Sequence, residues 1–153
     1  MRPSRPSPNA RDEQGSAALE FVTAGMILLV PLVYLVLAMS AIQAGALSIE
    51  GASRQAARVY VQGRSVADAE ESAGLAIDFA LADYGLKPAQ ATVQITCTPN
   101  PSRCLTRRGF VTVTVSASVP LPLAPPALGA SSPLAVPLSA TATQQVSRFW
   151  GAG

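Results

Sequence analysis

The sequence predicts an α+β protein: a long amino-terminal helix, a second shorter helix, and a small antiparallel sheet of about three strands. Three observations predict it. Phe21 to Ile49 contains no Asp, Glu, Lys or Arg. Apolar residues recur at helical spacing between Ser65 and Gly85. Three stretches after residue 90 alternate apolar and polar side chains, the period of strands with one buried and one wet face.

The chain opens on Met1 to Gly15, a polar, proline-rich segment carrying Arg2, Arg5 and Arg11, with no apolar periodicity. Such a segment buries too little apolar surface to fold alone. The charge-free run that follows is 29 residues long. As a helix it spans about 43 Å, against about 30 Å of bilayer hydrocarbon. Residues 16–49 are therefore predicted to form a transmembrane helix in contact with membrane lipid, bent at Pro31. The helix is predicted to continue past the bilayer as an amphipathic segment, since Ser40 to Val61 is dense in Ala, Ser and Gly. There Ala41, Gly45, Ser48, Ala52 and Ala56 share a face of small side chains, the kind that lets helices approach closely. The alternative is an Ala-rich helix with no partner on that face. Glu50 and Arg54 stand at i and i+4, in the favourable order for a surface pair.

Residues 50–153 form the remaining domain. Gly63 and Arg64 break the first helix, and Ser65 with Asp68 three residues later resembles a capping box. Gly85 sits where a glycine would end the second helix. Ala73, Ile77, Leu81 and Tyr84 are its predicted buried stripe, widened by Leu75 and Phe79. Strands are predicted over Ala91 to Thr98, Phe110 to Val119 and Leu134 to Thr143. Pro137 places the third at an edge or starts it later. Cys97 and Cys104 lie seven positions apart in the loop between the first two strands. That spacing fits neither a CxxC redox pair nor a zinc site, and a local disulfide is the preferred reading over two free thiols. Such a ring stabilises by about 2 kcal/mol on the loop-entropy model and implies an oxidising compartment. Pro120 to Ser132 is too long for a tight turn, and Phe149 and Trp150 near the end either dock or fray.

Composition narrows the function. Histidine is absent, which removes the commonest general base and the commonest metal ligand together. The net charge of +2 is spread along the chain with no run of Lys or Arg, so no nucleic-acid partner is predicted. In the outer portion the candidate catalytic carboxylates are Asp68, Glu70, Glu71, Asp78 and Asp83, gathered on one helix where a solvated face explains them. Catalytic carboxylates have to face each other across a cleft. No nucleophile elbow, phosphate loop or dinucleotide fingerprint occurs. The expectation is no enzyme, no cofactor, no metal and no small-molecule substrate.

The informative stretch is Gln14-Gly15-Ser16-Ala17-Ala18-Leu19-Glu20-Phe21, directly before the apolar run. A carboxylate at the mouth of a membrane helix asks for a partner, because a charge costs about 2.5–3.5 kcal/mol at mid-bilayer and less near the interface. Cleavage after Gly15 would make Ser16 a new amino terminus four residues from Glu20, one helical turn away. Glycine, four small or apolar residues, then Glu and an aromatic before an unbroken apolar helix resembles the processing site of type IV prepilins. The Glu-Phe version is similar to the Flp/Tad branch. The stretch from Gly15 to Val22, the Leu29-Val30-Pro31-Leu32-Val33 turn, and the segment from Gly51 to Arg58 resemble TadE-like proteins in particular. The ending from Leu138 to Phe149 is similar to the carboxy ends of actinobacterial-type members.

The resemblance implies a pilin-like fold and a minor pseudopilin of an Flp/Tad-type pilus or a related secretion machine. It makes residues 1–15 a cytoplasmic leader removed by a prepilin peptidase between Gly15 and Ser16, and Glu20 and Phe21 the assembly and register positions. The implied partners are that peptidase, other pilins or pseudopilins, and the Tad machinery with its secretion ATPase and platform proteins. It implies a single pass through the plasma membrane, the amino terminus cytoplasmic and the 50–153 domain outside. The mature domain is longer than a major Flp pilin, which points to a minor component. Positive-inside bias does not orient the chain, since Arg54, Arg58 and Arg64 balance Arg2, Arg5 and Arg11. The competing reading is a small binding domain, secreted or membrane-anchored, with an ordinary signal peptide or signal anchor. Its cleavage site would be Ala38-Met39-Ser40 or Ala44-Gly45-Ala46.

Overall fold

The computed structural model describes residues 12–87, 89, 91–122 and 134–151, with side chains described from residue 17 onward. Most of the predicted leader (residues 1–11) and the Pro- and Ala-rich stretch 123–133 lie outside the described residues. The fold is α+β: two helices followed by a three-stranded antiparallel sheet. The chain divides into two compact units, residues 1–38 and 39–153.

Helix α1 runs Asp12–Tyr60 and belongs to both units. It begins before the predicted start at residue 16, with Asp12 and Glu13 at positions where the positive end of a helix dipole favours acidic residues. It continues unbroken through Pro31, whose missing N–H takes one rung out of the ladder. In the first unit its apolar side chains are uncovered: Leu19, Phe21, Val22, Met26, Ile27, Leu28 and Leu29 are all exposed. This is the one candidate membrane span among the described residues.

In the second unit α1 changes character. Ser48, Ile49, Ala52, Ser53, Ala56, Ala57 and Tyr60 are buried. The small-residue face from Gly45 to Ala56 therefore packs within the unit itself. A Cβ added at Gly45 would overlap the Val119 side chain, and Ser48 Oγ donates to the Ala80 carbonyl at 3.1 Å. The small-residue face is thus a close-approach surface, as its spacing predicts, and its partners are α2 and the sheet of the same chain rather than a second subunit. Glycine and alanine at this spacing bring α1 close to the elements that follow it in the same chain. Glu50 and Arg54 form the expected exposed ion pair.

Helix α2 spans Val66–Ala82. Ser65 caps it by accepting the Asp68 N–H at 3.2 Å, and Asp68 in turn accepts the Arg64 N–H at 2.8 Å. At the other end Gly85 has φ 72°, and Leu86 N–H reaches the Leu81 carbonyl while Gly85 N–H reaches Ala82, the bond pair of a Schellman motif. The buried stripe is Ala69, Ala73, Ile77 and Leu81. Leu75, Phe79 and Tyr84, expected to share it, are exposed. Small residues at 69 and 73 seat the helix on a single line of contacts, and the neighbouring apolar line faces outward.

Strands β1 (Ala91–Thr98), β2 (Phe110–Pro120) and β3 (Ala135–Gln145) form an antiparallel meander in the order β1-β2-β3. The central β2 buries Val111, Val113, Val115, Ala117 and Val119 on the helix-covered face. The opposite face is polar and carries rungs of paired hydroxyls between β2 and β3: Thr112 with Thr143 at 2.9 Å, Thr114 with Thr141 and Ser116 with Ser139 at 3.0 Å. Pro137 lies within β3, which is an edge strand, as a residue without an N–H requires. A disulfide joins Cys97 at the end of β1 to Cys104 in the connecting loop, with a Cα–Cα distance of 5.0 Å. Buried Leu105 anchors the same loop to the core.

Candidate functional site

The predicted processing junction lies on the first turns of α1. Gly15 and Ser16 are helical in backbone. Glu20 and Phe21 follow on the same continuous helix, and both are exposed, Phe21 at 80%. Glu20 shares its side of the helix with Leu19, Thr23, Ala24 and Ile27, and it makes no ion pair among the described residues. Thr23 satisfies its own hydroxyl by donating to the Leu19 carbonyl at 2.7 Å, so it offers Glu20 no hydrogen bond through that proton. A carboxylate at the edge of the charge-free stretch of α1 is thus left without a counter-charge among the described residues. Helical rise puts Ser16 and Glu20 about 6 Å apart along the axis.

The exposed apolar surface around Glu20 is the larger feature. Contiguous apolar patches beyond a few hundred Å² are rare on soluble monomers and mark contact with a membrane or a partner. From Leu19 to Leu37 nearly every large side chain on α1 is more than two-fifths exposed.

Asp68 serves the cap and lies 3.8 Å from Arg64 Nε. Glu70 and Asp78 stand at the edges of a groove of about 390 Å³ between α2 and β1, floored by Ala73, Ile77, Val93 and Ile95. They stand eight positions apart on the helix, about 12 Å of rise, more than the span of a paired acid and base. Among the described residues no group of three or more His, Cys, Asp or Glu is placed to hold a metal ion.

Of the two outcomes left open for Trp150, docking or fraying, the structure has it docked. Trp150 docks by donating its indole N–H to the Gly63 carbonyl at 2.9 Å, and its own carbonyl accepts from Arg107 Nε at 2.9 Å. Phe149 beside it is exposed. Gly63 suits this crossing because an added Cβ would lie 2.6 Å from that of Ala69. No linear pattern pairs residues 63 and 150, although a lone tryptophan close to a chain end is itself a cue for docking.

No protein-family model matches the chain, and comparison with curated proteins and with solved structures likewise finds no match.

Proposed function

We propose that the chain is a TadE-like minor pseudopilin, processed after Gly15 by a prepilin peptidase and inserted through α1 into the plasma membrane, from which it enters or primes an Flp/Tad-type pilus or a related secretion machine. The observation that carries this reading is the conjunction on one helix of an uncovered apolar surface, a Glu20 at its mouth with no ion pair among the described residues, and Gly15-Ser16 one turn before it. Proteolysis would supply the missing cation. The ammonium created at Ser16 neutralises Glu20 of its own chain or of a neighbouring subunit, and in the second case it sets axial register between subunits. The amino terminus is cytoplasmic and the 50–153 domain lies outside, an arrangement that suits the Cys97–Cys104 disulfide. Within this reading the chain is no enzyme and works through contacts.

The small residues from Gly45 to Ala56 are taken up internally, so subunit contact falls to the segment before them, from Ser16 to about residue 38. The rival cleavage site Ala44-Gly45-Ala46 fits poorly, because cutting there removes Gly45 from its seat on Val119 and opens the helix just before buried Ser48 and Ile49. Substituting Gly15→Ala tests the leader directly. In cells carrying a prepilin peptidase the variant accumulates as a membrane-bound precursor, heavier on a gel than the processed wild type. Identical mobility of the two, with and without the peptidase, contradicts the assignment.

A further inference from the structure

We propose that the end of the 39–153 unit at which α1 terminates binds a single-stranded polynucleotide, with arginines on its phosphates and phenylalanines as stacking faces. No run of basic residues announces such a surface, because the fold assembles it from three separate stretches. Arg107 Nε donates to the Trp150 carbonyl at 2.9 Å, and the Trp150 indole donates to Gly63 at 2.9 Å, next to Arg64. Arg108 N–H donates to the Val146 carbonyl at 3.2 Å and its own carbonyl accepts from Gln145 Nε2 at 3.3 Å, which brings it to the strand end that leads into Arg148. Arg64, Arg107, Arg108 and Arg148 are all exposed. Only Arg64 has an acidic neighbour, Asp68, and the other three make no ion pair among the described residues. Glu70 lines the groove beside Val93 and Ile95 and lies near enough to Tyr60, at the end of α1, to help burial hold that phenol above its usual range, so it is the acidic group the polynucleotide has to pass.

Arginine is the cation suited to phosphate, since its planar fork binds two oxygens at once and gives up hydration readily. The aromatic component selects the polymer. Phe149 is 67% exposed and Arg148 lies over its ring at 4.6 Å, while Phe110, 45% exposed, begins β2 one residue after the Arg108-Gly109 turn. Exposed rings on the same stretches as exposed arginines supply base stacking and backbone neutralisation, the two ingredients of sequence-tolerant single-strand binding. Arg108 also holds φ at 61°, a backbone conformation better suited to glycine or asparagine, so its side chain is presented at a conformational cost. This inference stands independently of the pseudopilin reading.

The test uses the full chain in detergent micelles and a fluorescein-labelled oligothymidine of about 12 nucleotides, a length within the site size of one small domain. Anisotropy should show saturable binding that weakens about 50-fold between about 50 and about 200 mM salt, as four phosphate contacts at a slope of about 0.7 each require. Arg148→Gln and Arg107→Gln should each lower that slope by about 0.7. Phe149→Ala should weaken oligothymidine binding about fivefold or more, the loss of one stacking contact, while inhibition by inorganic polyphosphate is unchanged. Circular dichroism of each variant at the wild-type value excludes misfolding. Absence of saturable binding at about 50 mM salt overturns the proposal. So does an oligothymidine affinity indifferent to Phe149→Ala, which would leave a generic anion surface. Salt-reversible self-association through the α2 carboxylates without oligonucleotide binding overturns it as well.

Discussion

Glu20 is the residue on which the functional account turns. An acidic side chain among Leu19, Phe21, Val22 and Ile27 has no counter-charge within reach on its own helix. In lipid that isolation is expensive, and removing one partner of a desolvated ion pair costs about 3–5 kcal/mol. Glu20→Ala should therefore be cleaved after Gly15 like the wild type yet enter pili more than about a hundredfold less efficiently, since each 1.4 kcal/mol is tenfold. Immunoblots of sheared surface filaments, normalised to the membrane-bound pool, measure this. Normal incorporation of the variant would remove Glu20 from subunit register. At this scale the sequence was legible where chemistry is local. Ser65, Asp68 and Gly85 do at the ends of α2 what their types and spacing predict. Leu75, Phe79 and Tyr84 misled because apolar periodicity marks two neighbouring lines on a helix and cannot say which one meets the core.

The elements owe their arrangement to small residues as much as to large ones. α1 and α2 approach at Ser48 and Ala80, and α1 meets β2 at Gly45 and Val119. Gly45→Ala places a methyl group where Val119 already sits, and overpacking of this kind costs about 1–3 kcal/mol, of which helix propensity returns up to about 1 kcal/mol. Unfolding by urea, followed through the fluorescence of the single tryptophan, Trp150, should show the midpoint fall for Gly45→Ala. Val119→Ala in the same chain should restore part of the loss by opening the space. Additive losses from the two substitutions would mean that they do not share a contact. The strands were the most legible elements, because β2 is buried on one face only and its valines alternate with Thr and Ser over its length. The small-residue face of α1 was legible as a contact surface but not as to its partner. Spacing alone carries no information on whether a close approach is made within a chain or between chains.

The whole molecule joins two surfaces of opposite kind in one chain: an apolar helix that the protein itself leaves bare, and a unit with its own core, a disulfide, and a polar sheet face laced by hydroxyl pairs. Fold class and element order could be read from periodicity because each element buries one face against the others. The end carrying Arg107 and Trp150 could not, because the stretches around residues 63, 107 and 150 are joined only by long-range contacts of Trp150. Most of the Pro120 to Ser132 connection lies outside the described residues. One step unifies the proposal: cleavage after Gly15 would leave the bare helix starting at a new amino terminus one turn from Glu20. The mass and amino-terminal sequence of the polypeptide purified from its native membrane test this most directly. The account predicts a chain beginning at Ser16. A chain that begins at Met1, or beyond Ala38 as signal-peptide removal would leave it, contradicts the account.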